Sequence, residues 1–108
     1  LSSHLLNSVN GTHAGGVKVI IYQINSSGSK TIFFETETDD GGRIIKDFEL
    51  SSDDCACEYE MVCKTADYFS EKKVVSEIII KFKMEDPKKK YHLPIIISPN
   101  GYSIWWSN

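Results

Sequence analysis

The chain is 108 residues long, 41% hydrophobic and 25% charged, with a formal net charge of −3. That length and apolar content suit one domain with an ordinary core and exclude a chain too polar to fold. The negative balance gives no electrostatic case for nucleic acid or an anionic membrane surface, and no apolar run approaches the ~20 residues of a membrane helix.

Leu1 to Asn7 predicts a short strand with His4 and Leu6 on one face and Leu5 on the other. Asn10-Gly11 and Gly15-Gly16 flank a loop that holds His13, and Val17 to Ile24 follows as a strongly β-branched strand. Asn25 to Ser29 is a polar turn, Lys30 to Thr38 an alternating strand, and Asp39-Asp40-Gly41-Gly42 a second turn. Arg43 to Leu50 predicts a short strand and Ser51 to Asp54 a loop. Cys55 to Thr65 alternates, with Cys57, Tyr59, Met61 and Cys63 on one parity and Glu58 and Glu60 on the other, the pattern of a half-buried strand. Ala66 to Lys73 is the one stretch that suits a helix, about two turns at most. Val74 to Met84 is a further strand. Tyr91 to Asn108, YHLPIIISPNGYSIWWSN, then predicts a hairpin: an aliphatic strand, a turn at Ser98-Pro99-Asn100-Gly101, and a return strand from Tyr102 to Trp106. About eight short strands punctuated by turns predict an all-β, two-sheet antiparallel sandwich with one short helix. Nothing resembling a repeat or linker divides it, so residues 1–108 form one expected domain.

Cys55, Cys57 and Cys63 are odd in number, which points to reduced thiols in an intracellular compartment, and their C-x-C-x5-C spacing matches no usual zinc pattern. Asn10-Gly-Thr and Asn25-Ser-Ser fit the glycosylation sequon, which matters only in a secreted protein. No targeting peptide is legible, although the first residue is not a methionine and a removed one stays open. The groups suited to chemistry are few. Arg43 is the single arginine against eleven lysines, and its planar fork of donors can hold a carbonyl oxygen as an ammonium cannot. Placed after Gly41-Gly42, it can project into a site while the backbone approaches closely. His4 and His92 lie on predicted strands; by themselves such residues are ordinary surface or core histidines.

Their context changes that reading. The C-terminal segment resembles the end of the 5-hydroxyisourate hydrolases, transthyretin-like enzymes whose pattern is YHVPLLLSPxGYSTYRGS. The opening LSSHLLNSVNGTHAGGVKVIIYQI is similar to that family's LSxHVLDxxxGxPAxGVxVxLYxL, DDGGR to its NxDGR, and TADYF to its TGxYF. The resemblance spans nearly the whole chain in order. It implies a catalytic set of His4, Arg43 and His92, with Trp105 and Ser107 lining the site, and hydrolysis of 5-hydroxyisourate to 2-oxo-4-hydroxy-4-carboxy-5-ureidoimidazoline. It further implies a homotetramer whose central channel carries sites lined by two subunits, a purine-derived substrate, no metal or organic cofactor, and a cytoplasmic or peroxisomal location. Departures are confined: Trp105-Trp106-Ser107-Asn108 stands for YRGS, Asn7 for aspartate, and His13 for the usual proline, which leaves His13 as a loop residue without a role. The alternative that the altered tail raises is a non-catalytic transthyretin-like carrier that binds an aromatic ligand in the channel.

Overall fold

The computed structural model describes residues 1–70 and 74–105. In chain order its elements are β1 (Ser2–Asn7), β2 (Thr12–His13), β3 (Lys18–Ile24), β4 (Lys30–Glu37), β5 (Arg43–Ile45), α1 (Ser52–Cys55), β6 (Glu58–Cys63), α2 (Thr65–Tyr68), β7 (Ile78–Lys83), β8 (His92–Ser98) and β9 (Gly101–Ile104). One sheet runs β4-β3-β6-β7, all antiparallel. The other runs β2-β1-β8-β9, with β5 also on β1. The expected two-sheet sandwich is therefore present, with one parallel pairing, β1 on β8, among antiparallel ones.

Alternation builds the core. Leu5, Ile44, Leu93, Ile95 and Ile97 point inward from the first-strand sheet, and Val19, Ile21, Tyr59, Met61, Cys63 and Ile78 meet them from the other. Each aliphatic side chain fully withdrawn from water there contributes about 1.5–3 kcal/mol. Glu60 and Val62 are buried as well, so β6 is covered on both faces rather than half-buried. Lys30 Nζ, 2.8 Å from Glu60, offsets the cost of enclosing that carboxylate.

Four segments differ from expectation. The strand from Arg43 ends at Ile45, because Phe48 leaves the sheet to pack edge-on against Phe33, with ring centroids 4.9 Å apart. The segment around Asp53 is a helical turn: the Ser51 hydroxyl accepts from the Asp54 amide at 3.1 Å and the Asp54 carboxylate accepts from the Ser51 amide at 3.0 Å. The helix expected at Ala66 to Lys73 is the single turn α2, starting at Thr65; Glu71, Lys72 and Lys73 lie outside the described residues. The strand expected from Val74 begins only at Ile78.

Candidate functional site

β1 is the strand on which the candidate residues meet. β8 occupies one of its edges throughout, pairing Ser2 with His92 and His4 with Pro94. The other edge is shared: β5 pairs His4 with Arg43, and β2 pairs Leu6 with His13. Residues directly across from one another in a sheet project from the same face. His4, Arg43, His92 and His13 therefore share one face, and it is the outer one, since Leu5 and Ile95 fill the inner face. The period-2 pattern expected for His4, Leu5 and Leu6 is observed.

The turn before Arg43 explains how the arginine reaches His4. The Asp39 carboxylate accepts from the amides of Gly41 and Arg43, both at 2.9 Å, and the Gly42 amide donates to the Asp39 carbonyl at 2.9 Å. Gly42 has φ +73°, and a Cβ there would run into the Leu5 carbonyl oxygen. Its own carbonyl accepts from the Leu5 amide at 2.8 Å, while the Ala14 amide donates to the Leu5 carbonyl at 2.9 Å. Gly42 and the β2 segment thus close on β1 at one point, which brings Arg43 and His13 to His4 together.

The electrostatics follow from this crowding. Burial, the Arg43 guanidinium, His13 and His92 each hold the His4 imidazole below its ordinary value of 6.5, with burial the largest cause and a hydrogen bond to the Gly41 backbone acting in the opposite sense. His4 is accordingly a neutral ring near pH 7, able to accept a proton. His92 is anchored separately, its Nδ1 2.7 Å from the Ser2 hydroxyl. The serine lies two residues before His4, on the same strand face, and that period was the signal for it in the sequence.

Two expectations need correction. His13, taken as a loop residue without a role, lies on β2 with Nδ1 2.9 Å from His4 Nε2. Trp105 was placed inside the return strand, but β9 ends at Ile104. Its amide still reaches toward the Pro94 carbonyl at 3.5 Å, which keeps Trp105 across from the residue beside His4, and the residue is 45% exposed. Ser107, expected to line the site, lies outside the described residues. The larger hollows, about 360 and 340 Å3, lie beside Lys18–Ile20 and beside Asp53–Cys57, away from the histidines, whereas a smaller one of about 180 Å3 beside Leu1, Ser2 and Ile45 borders the open face that carries the site. Among the described residues no cluster of metal-ligating side chains occurs, and no helix is long and apolar enough to cross a membrane.

Two packed sheets with an outward His–Arg–His face define a transthyretin-like sandwich carrying a polar site. The match to known proteins is more specific. Residues 1–106 match the model of the HIUase/Transthyretin family, and the chain belongs to that family. It is 27% identical to the 5-hydroxyisourate hydrolase of Halalkalibacterium halodurans over 97% of this chain and 94% of that protein. It is 32% identical to the 5-hydroxyisourate hydrolase of Salmonella typhimurium, over 97% of this chain and 78% of the relative. Among solved structures, the Klebsiella pneumoniae 5-hydroxyisourate hydrolase superposes with a TM-score of 0.79 at 24% identity, covering 99% of this chain and 96% of that one. Transthyretin from Sparus aurata superposes at 0.82 with 22% identity, covering 98% and 94%.

Proposed function

We propose that this chain hydrolyses 5-hydroxyisourate to 2-oxo-4-hydroxy-4-carboxy-5-ureidoimidazoline. The observation that carries the reading is the placement of the chain's one arginine directly across from His4, with His92 on the neighbouring strand and the same face. Curated relatives of that name align over nearly the whole chain. Opening a cyclic amide-like bond requires a base for water, a donor for the oxyanion and an acid for the leaving nitrogen. Neutral His4 is the ring that ends with the extra proton as water oxygen bonds to the ring carbonyl carbon. Arg43 receives the charge that develops on the carbonyl oxygen. The C–N bond then breaks, its electron pair staying on nitrogen, which is protonated from the imidazolium or from His92. Ser2 keeps the His92 ring in place for that step. Trp105 borders the substrate.

The open face supports a site completed by a second subunit, in a homotetramer whose channel carries the sites. Ile45, across from Ser2 on that face, is 72% exposed, an apolar surface suited to burial against a neighbour. Three free cysteines support an intracellular compartment, cytoplasmic or peroxisomal. The test is the ultraviolet decay of freshly made 5-hydroxyisourate with the purified protein, His92→Ala and Arg43→Ala. Acceleration over buffer that both substitutions abolish is the expected result. Decay no faster than buffer, from correctly folded protein, overturns the hydrolase reading in favour of a ligand carrier.

A further inference from the structure

His13 has no counterpart in the catalytic set argued above, yet its ring meets the ring of His4 end to end. His4 Nε2 and His13 Nδ1 are 2.9 Å apart, and the ring planes differ by only 27° with centroids 5.0 Å apart. Near-coplanar rings at that separation suit an N–H···N hydrogen bond made edge to edge, not a face-to-face stack. The contact is built into the fold. β2 pairs Leu6 with His13, a Cβ added at Gly42 would lie within 3.3 Å of the His13 Cβ, and the Ala14 amide is tied to the Leu5 carbonyl at 2.9 Å.

Which ring donates depends on the His4 tautomer, and the turn on the other side of the His4 ring bears on that choice. The Gly41 backbone acts on the His4 ring in the sense that favours its protonated form, which suits a ring N–H turned toward that side. With His13 at Nε2, that proton sits on Nδ1. Neutral His4 then has a bare Nε2, which accepts the Nδ1–H of His13. In this arrangement His13 Nε2 carries the free lone pair.

We propose that His13 is a positioning and proton-sharing partner of His4, the two rings acting as one base. This rests on the hydrolase reading and deepens it. When a proton reaches His13 Nε2 from water, the Nδ1 proton of His13 passes to His4 Nε2, and the charge is spread over two rings. No other reactant is consumed: the water proton enters the pair and the leaving nitrogen takes one back. The charged and titratable groups facing His4 from the adjoining strands are Arg43 on β5 and His92 on β8. Both disfavour the charged form of His4. In the turn before β5, the Asp39 carboxylate is committed to the amides of Gly41 and Arg43.

The experiment combines a substrate-free titration with kinetics on full-length wild-type protein, His13→Asn and His13→Ala. Asparagine retains an N–H where Nδ1 lies but cannot take up a proton. Imidazole 15N and 1H shifts in the wild type should show His4 as the Nδ1–H tautomer, and both rings should report both steps of a coupled titration. His13→Asn should leave the His4 tautomer in place with a single-step curve. His13→Ala should mix the tautomers and move the acid limb of kcat/KM upward. In both variants kcat should fall about ten- to a hundred-fold with KM little changed. Independent single-step curves for the two rings in the wild type, or pH–rate profiles identical in all three proteins, would overturn the proposal. Coupled titration in a wild type that does not accelerate 5-hydroxyisourate decay leaves the pair intact and removes the hydrolase reading instead.

Discussion

Replacing Gly42 by alanine tests how the site is assembled. The residue sits at φ +73°, a region that costs an L-amino acid about 1–2 kcal/mol. The added Cβ would also meet the Leu5 carbonyl oxygen, which belongs to the backbone of the central strand and cannot swing aside. Relief requires β5 to move off β1, lengthening the 2.8 Å hydrogen bond from the Leu5 amide to the Gly42 carbonyl at about 1 kcal/mol. The sum is about 2–3 kcal/mol, a fall in Tm on the order of 10–15 °C for a domain of this size. Gly28→Ala is the control. Gly28 has φ +86° but open space where its Cβ would be, so only the conformational cost applies, and its Tm should fall by roughly 5–10 °C. The two proteins should be melted by calorimetry at one matched concentration, because any subunit association contributes to Tm. Activity separates them further: a displacement of Arg43 by about 1 Å from His4 lowers kcat/KM roughly a hundred-fold, whereas Gly28→Ala leaves it unchanged. Equal losses of Tm and activity in the two variants would refute the close approach as the element that sets Arg43 against His4.

Arg43→Lys keeps the charge but loses the fork, and kcat should drop on the order of 100- to 1000-fold in the decay assay. Ser2→Ala removes the hydroxyl 2.7 Å from His92 Nδ1, and kcat/KM should fall about ten-fold, near the 1–1.5 kcal/mol of one hydrogen bond, with Tm almost unchanged. Because the folded His4 value lies below the unfolded 6.5, the unfolded chain binds more protons between the two. That contribution to stability is present above pH 6.5 and is lost as pH falls toward the folded value. Urea melts of wild type and His4→Gln across pH 5–8 should diverge only on the acid side, and parallel curves would contradict the depressed pKa. Burial pushes the Cys63 thiol up to about 12, so iodoacetamide should label Cys55 and Cys57 in the native protein and reach Cys63 only after unfolding, as peptide mapping would show.

Much of the sandwich was legible because its strands alternate cleanly against one core. The hairpin of β8 and β9 and the strand β3 fall where β-branched runs and turn residues put them. Lys46 to Leu50 alternates just as well yet is not a strand, since Phe48 is recruited by Phe33 and Phe34 across the sandwich, and periodicity carries no record of which sheet a side chain will join. The helical turn at Ser52 had a signal, the S-x-x-D of its capping box, that reads as loop composition when only hydrophobic period is followed. The parallel pairing of β1 with β8 joins residues about ninety positions apart, and local pattern does not encode it. For that reason His4 and His92 were separate candidates in the sequence, and their shared face with Arg43 is a result of the fold.

The fold by itself does not choose between catalysis and carriage, for the Sparus aurata transthyretin and the Klebsiella pneumoniae hydrolase superpose about equally well. The choice rests on what the outer face of β1 presents. A channel that only holds an aromatic ligand gains nothing from a neutral imidazole beside a guanidinium, whereas hydrolysis needs that pairing of base and oxyanion donor. The tail bears on the same question. The Trp105 amide lies 3.5 Å from the carbonyl of Pro94, the residue paired with His4, and in the proposed site its ring supplies an aromatic plane without a phenolic hydroxyl. If the missing hydroxyl contributes one hydrogen bond to the transition state, Trp105→Tyr should raise kcat about five- to ten-fold, about 1 kcal/mol, with KM little altered. If the ring serves only as an apolar wall, the same substitution should leave kcat unchanged and raise KM slightly as contact area is lost. An increase in kcat that vanishes in Trp105→Phe would assign the gain to the hydroxyl. A variant with unchanged kinetics would show that this chain has shifted the hydroxyl's task to another donor.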